Sequence, residues 1–187
     1  MKIIVALGNP GEKYKNTRHN AGWLVLDQLV KSEKLKVESW ESKFNSKILA
    51  SDHSDTFVGS DRLLLVKPQT FMNNSGEAVA EVVNFYKVDI TKDLLVIHDE
   101  IDLPFGSIRV TNSSSPAGHN GVKDIIEKLG TQDFHRIRVG VETRESRDQM
   151  PTDAFVLQSF TADEIKKLQE EIFPKVEEQI RKFIEIN

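Results

Sequence analysis

For bond-breaking chemistry this chain offers histidine, carboxylate and carboxamide groups, and no thiol. It contains no cysteine, which excludes disulfides, thiolate zinc sites and cysteine nucleophiles. There is no Walker phosphate loop and no Gly-x-Ser-x-Gly elbow, so a serine-triad enzyme is disfavoured. Gly8-Asn9-Pro10-Gly11 follows an apolar run, but its glycine spacing does not match the dinucleotide fingerprint.

His19 sits in Thr17-Arg18-His19-Asn20, between a loop and a helix start. Beside a carboxylate such a histidine can act as a general base near neutrality. Asp99 is the natural partner, because an aspartate on one ring nitrogen fixes the tautomer and stabilises the imidazolium. The plainer alternative makes His19 a helix-start hydrogen bonder and Asp99 a loop cap. His98, Asp99, Glu100, Asp102 and His119 are also metal-ligand types, but their separations match no common zinc signature. Asn9, Asn20, Asn73, Asn74 and Asn120 all fall at loop positions. Carboxamides donate and accept, which suits a peptide backbone or a water that must be aimed; asparagine is also common in turns. Arg136 and Arg138 alternate with apolar residues and so point to one sheet face, as phosphate contacts or as a solvated surface. Met72, next to Phe71, fits either the core or a contact with an apolar substrate group.

These residues are spaced along alternating strand-like and helix-like segments. Residues 3–7 are an apolar run before the Gly-Asn-Pro-Gly turn. Residues 20–34 read as a helix through Trp23, Leu26 and Val30, and 44–58 alternate loosely as a hairpin. Residues 63–66 form a strand ended by Pro68. Ser75 offers an N-cap for a helix through Val79, Val82, Val83 and Tyr86. Residues 94–97 form another buried strand, 120–129 a helix stopped by Gly130, and 136–141 a strand. Thr161-Ala-Asp-Glu164 fits a capping box. The helix it opens carries Ile165, Leu168, Ile172, Val176 and Ile180 on one stripe, and Pro174 should interrupt it. The pattern predicts one α/β domain over 1–187, a twisted, mostly parallel mixed sheet with helices on both faces in three layers. Sites in such folds gather where loops leave the carboxyl ends of strands. Asn9, Asn73 and His98-Asp99-Glu100 each follow a predicted strand.

The net charge is −4, which argues against a general nucleic-acid binder. The average hides a gradient. Lys2, Lys13, Lys15 and Arg18 oppose only Glu12 in the first twenty residues. A local basic face is therefore compatible with an acidic protein. No run reaches the ~18 apolar residues of a membrane span, and the opening apolar run is too short for a signal peptide. A cytoplasmic protein is expected.

Longer motifs carry a resemblance. Residues 5–22, Val-Ala-Leu-Gly-Asn-Pro-Gly-Glu-Lys-Tyr-Lys-Asn-Thr-Arg-His-Asn-Ala-Gly, resemble the N-terminal signature of bacterial peptidyl-tRNA hydrolases. Lys67-Pro-Gln-Thr-Phe-Met-Asn-Asn-Ser-Gly76, His98-Asp-Glu-Ile-Asp-Leu-Pro104 with Gly106, Gly118-His-Asn-Gly121, Phe134-His-Arg-Ile-Arg-Val-Gly140 and Val156-Leu-Gln-Ser-Phe160 resemble the rest of the series in order. The resemblance implies a monomer without metal or cofactor that cuts the ester between a peptide and tRNA by a histidine-activated water. It implies His19 as base and Asp99 as its partner. Asn9, Asn73 and Asn120 would hold the peptide and order the water, and Met72 would line the cleft. Tyr14 would face the tRNA end, and Arg138 and nearby bases would meet phosphates.

The chain departs from the pattern in three places. Residues 113–117 are Ser-Ser-Ser-Pro-Ala where the family has glycines, Thr111 stands where a lysine is common, and Glu142-Thr143 replaces a glycine and a basic residue. All three lie on the tRNA side and predict a weakened clamp built from Lys13, Lys15, Arg18, Arg109, Lys123 and Arg138. Two alternatives to the hydrolase are an RNA-binding splicing factor, as a relative of this fold is in plant organelles, and a generic esterase active without RNA.

Overall fold

The computed structural model describes residues 1–32, 40–51 and 62–185. Among them seven strands form one sheet in the order β2-β3-β4-β1-β5-β7-β6. The central strands β4 (Leu63–Pro68), β1 (Lys2–Ala6), β5 (Leu94–Pro104) and β7 (His135–Glu142) run parallel. β2 (Glu41–Lys43) and β3 (Ser46–Ser51) add an antiparallel flank beside β4, and β6 (Ile108–Asn112) adds one beside β7.

The central strands are continuous apolar runs because both of their faces are buried. Ile4, Ala6, Leu65, Leu95, Ile97 and Ile137 face one core, built with α1 (Ala21–Ser32), α5 (Thr152–Val156) and the C-terminal helix. Ile3, Val5, Leu64, Val66 and Val96 face the other, built with α2 (Ser75–Tyr86) and α4 (Asn120–Leu129). The expected three-layer α/β architecture is present. The short α3 (Ile90–Asp93) leads into β5, with Asp89 accepting from the Thr91 N–H at its start.

Local signals translate well. Thr161 and Glu164 close both arms of the capping box at the start of α6 (Ala162–Lys167), and Gly130 ends α4 at φ 70°. Pro174 interrupts the last helix as expected. Its ring and missing N–H cannot continue the α ladder, and the chain passes through a π-helical turn, Leu168–Ile172, before α7 (Phe173–Glu185).

Four expectations change. Ser75 is the first residue of α2 rather than its cap, and its hydroxyl donates to the Met72 carbonyl at 2.8 Å. The buried stripe of α1 runs through Gly22, Val25, Leu26 and Leu29, leaving Trp23 and Val30 half-buried. The hairpin turns earlier than expected, at Phe44-Asn45, where both residues have positive φ (55° and 49°) as a two-residue primed turn requires; positions 52–58 lie outside the described residues. The strand beginning at Leu94 runs through His98-Asp99-Glu100 instead of ending before them, because β7 keeps pairing with it through Glu100↔Gly140 and, past an irregularity, at Pro104↔Glu142.

Candidate active site

His19 lies in a 3-10 turn, Arg18–Asn20, directly before α1. The turn is held by the Thr17 hydroxyl donating to the Tyr14 carbonyl (2.9 Å) and by the Arg18 N–H donating to the Gln158 carbonyl (3.0 Å). Asp99 comes from β5 beyond the end of β1, which pairs only as far as Ala6↔Ile97. His19 Nδ1 meets Asp99 Oδ1 at 2.9 Å, joining residues eighty positions apart. An ionised carboxylate can only accept, so Nδ1 carries the proton and Nε2 is left with a lone pair.

The same carboxylate oxygen takes a second imidazole, from His119 Nε2 at 3.0 Å. His119 Nδ1 accepts from the Val122 N–H at the start of α4, which places its proton on Nε2. Burial disfavours charge on His19, but Asp99 and then Asp153 outweigh it and hold the imidazole above its ordinary value of 6.5. Burial pushes Asp99 up, yet the two imidazoles and their hydrogen bonds keep it well below the usual carboxylate range. His98 is fully buried, points Nδ1 at the Asp99 carbonyl (2.7 Å) and is held well below 6.5 by burial and by His119.

The metal-ligand types at His98, Asp99, Glu100, Asp102 and His119, whose spacing matched no zinc signature, do not come together as one group of five. Glu100 binds Arg138, Asp102 pairs with Arg147, and His98 turns to the backbone. Asp99 and His119 instead group with His19, with ligand atoms within 4.8 Å of one another. Asp99 Oδ1 already accepts from both imidazoles, which is the pattern of a proton network.

The carboxamides divide into an inner and an outer group. Asn20 is fully buried, accepts from the Asn9 N–H (2.8 Å) and donates to the Asn9 carbonyl (3.0 Å). Asn9 Oδ1 in turn accepts from the Met72 N–H at 2.8 Å. That pattern commits the oxygen of Asn9 to the frame and leaves its amide donors for the cleft. Asn73 and Asn120 are exposed on the rim. Their two segments meet closely. A Cβ on Gly76 would lie 2.3 Å from the Asp124 carbonyl oxygen, and one on Gly121 would lie 2.5 Å from the Met72 sulfur.

Asn9, Tyr14, His19, Phe71, Met72, Asn73 and Asn120 line one open groove of about 620 Å³, together with Asp153, Val156 and Leu157. Every site residue expected from the sequence is on this groove except Asp99, directly behind His19, and Arg138. Met72 is buried, while Phe71 beside it is 56% exposed and meets the Tyr14 ring edge-on at 6.4 Å. Sequence reasoning named His119 as a metal-ligand type and Asn20 among the carboxamides, but not as the braces of Asp99 and Asn9, and it missed Asp153. The first two stood in the quoted motifs, but nothing local distinguishes a group that touches substrate from one that braces it.

The expected cationic face is only partly available. Arg18 is buried. It pairs with Glu164 at 2.6 Å, contacts Thr143 and the Ser159 carbonyl, and stacks on Phe155 and Phe160. Arg136 is buried as well and donates to Ser114 Oγ, the Ser115 carbonyl and the Gln132 carbonyl. It ties the 113–117 loop to β7, and Ser113 and Ala117 hold that loop at φ 49° and 48°. Arg138 binds Glu100 (2.7 Å), and Lys15 and Lys123 pair with Glu12 and Glu127. Lys13 lies over the Tyr14 ring. Glu142 does not face outward as a free acid, because Arg144 binds it at 2.6 Å. Exposed Arg109 stands across from Arg138 on β6.

Fold and site together place the chain among the hydrolases. The family model described as peptidyl-tRNA hydrolase matches residues 3–187. The chain is 44% identical over 177 residues to the peptidyl-tRNA hydrolase of Mycoplasma capricolum, covering 95% of this chain and 90% of that protein. It is 42% identical over 172 residues to that of Bacillus subtilis, covering 92% and 86%. A crystal structure of peptidyl-tRNA hydrolase with n-propanol superposes with a TM-score of 0.84 at 28% identity, covering 98% of this chain and 88% of that one. The Acinetobacter baumannii enzyme superposes at 0.77 and 26% identity, covering 100% and 96%. The chain belongs to the peptidyl-tRNA hydrolase family. No helix among the described residues is long and apolar enough to cross a membrane.

Proposed function

We propose that this chain hydrolyses the ester linking a peptide to the terminal ribose of tRNA, with His19 as general base. The observation that carries the reading is the His19–Asp99 hydrogen bond of 2.9 Å at the floor of the carboxamide groove. With Nδ1 donating to Asp99, Nε2 takes a proton from water as the water oxygen attacks the ester carbon. Donors on the carboxamides of Asn9, Asn73 and Asn120 face the charge that develops on the carbonyl oxygen. The C–O bond to ribose then breaks, and the imidazolium returns its proton to the leaving ribose oxygen. Asp99 stabilises the imidazolium in between.

Peptide occupies the carboxamide groove, with Met72 beneath it and Tyr14 at its tRNA end. Arg138 and Arg109 meet tRNA phosphates. The protein acts as a cytoplasmic monomer and needs no cofactor. The test is incubation with N-acetyl-aminoacyl-tRNA and with its unblocked counterpart, without added metal. Fast release of tRNA from the blocked substrate alone is expected, because a free ammonium is poorly matched to amide donors and leaves polar groups of the site unpaired. Equal rates on both, or none on either, would refute the reading.

A further inference from the structure

A second cavity, of about 370 Å³, also borders His19. It is bounded by Glu100, the 117–120 segment and Thr152 on α5. His19, Asn120, Asp153 and Val156 line both this cavity and the carboxamide groove. Of the carboxylates here, Asp99 is committed to two imidazoles and Glu100 to Arg138 and the Asp102 N–H. Asp153 is exposed, and its charge acts on His19. Its helix is nonetheless firmly placed, since the neighbouring Phe155 ring is stacked by Arg18 at 4.8 Å and by Arg144 at 4.1 Å.

An ionised carboxylate only accepts hydrogen bonds. Between two cavities that meet at the base, its partner must be a donor close to the scissile ester. The groove already supplies carboxamides for the peptide. The second cavity is lined by Glu100, which holds Arg138. With the peptide in the groove, the ribose falls where the two cavities meet, at His19 and Asp153. The donor nearest the ester is then the hydroxyl on the adjacent ribose carbon. Acidic side chains read ribose hydroxyls in the same way in dinucleotide sites.

We infer that Asp153, poised between the two cavities, accepts a hydrogen bond from the ribose 2′-hydroxyl next to a 3′-linked ester and so selects substrates ending in ribose. The inference rests on the proposed peptidyl-tRNA hydrolysis. It is tested with two N-acetyl-aminoacyl-tRNAs, one ending in adenosine and one in 2′-deoxyadenosine, on wild type, Asp153→Ala and Asp153→Asn. Wild type should lose roughly 10- to 100-fold in kcat/KM on the deoxy substrate, the range of a hydrogen bond to a charged group. Asp153→Ala should cleave both equally, and Asp153→Asn, which still accepts, should keep part of the preference. Asp153→Ala also removes a charge facing His19, alongside Asp99 and His119. That effect acts on both substrates and cancels in their ratio. A wild type indifferent to the hydroxyl, or an alanine variant with the full wild-type ratio, overturns the assignment while leaving the hydrolase reading intact. A wild type that cleaves neither substrate overturns both.

Discussion

The groove end of the molecule and its β6–β7 edge use the same kinds of polar group in opposite ways. At the groove, each inner group serves the next one outward: Asn20 holds Asn9, and His119 and His19 share one oxygen of Asp99. What is left over points at the cleft. At the edge, the arginines turn inward. Arg136 holds a loop and Arg138 a glutamate, and Arg18, next to His19 in the chain, holds α6 through Glu164. Cationic composition is thus a poor guide to phosphate contacts here, because a buried guanidinium whose terminal nitrogens are turned to internal partners has little left for a ligand.

The largest expected effect lies at the groove. His19→Ala should cost on the order of 10²- to 10⁴-fold in kcat, with the thermal midpoint nearly unchanged at pH 8.5; near-full activity would end its assignment as the base. Because His19 is held above 6.5 and must be neutral to act, kcat/KM should fall as pH drops through a value above 6.5. Asp99→Asn should cost less than His19→Ala and move that fall to lower pH. The stability that the raised His19 contributes has the opposite dependence. It is fully present below the unfolded value of 6.5 and lost as pH rises through the folded one. Denaturation at pH 5.5 and 8.5 should therefore show His19→Ala more damaging at the lower pH.

Arg18→Ala breaks a buried pair and should cost on the order of 3–5 kcal/mol of stability, read from urea midpoints. It should leave the salt dependence of KM unchanged; a shallower slope would return Arg18 to the tRNA face. Asn20→Ala strands the Asn9 backbone N–H and should cost roughly 1–3 kcal/mol. Its kcat/KM should fall although Asn20 is not itself on the groove, and unaltered kinetics would separate Asn9 from the reaction.

The smallest effects belong to the edge. Arg109→Ala should flatten the plot of log KM against log salt by about 0.7–0.9, one phosphate contact. Arg138→Ala should flatten it by less, since Glu100 competes for the same guanidinium. Thr111→Lys should steepen the slope by about one unit. Thr111 already leans on Ser114, at 3.2 Å between hydroxyls, so an unchanged slope would mean that the 113–117 loop shields this position from RNA.

What the sequence determined by itself is what depends on near neighbours or on long apolar runs. The capping box at Thr161, the stop at Gly130, the interruption at Pro174 and the doubly buried central strands involve partners within a few residues or a whole strand of one character, so they survive reading along the chain. The motifs likewise marked His19, Asp99 and the asparagines. Tertiary structure alone decided who faces whom. Arg18 and Glu164 are 146 residues apart, and Asp99 and His119 are 20 apart on different elements. Nothing in the spacing says that one carboxylate will hold two imidazoles, or that an arginine will spend its charge indoors. β6 went unread for the same reason: its burial alternates poorly because it sits at the sheet edge, and it is a strand because β7 is beside it. Hydrogen-bonding and ionic partners are chosen by proximity in the fold, and proximity is what packing the two faces of the sheet creates.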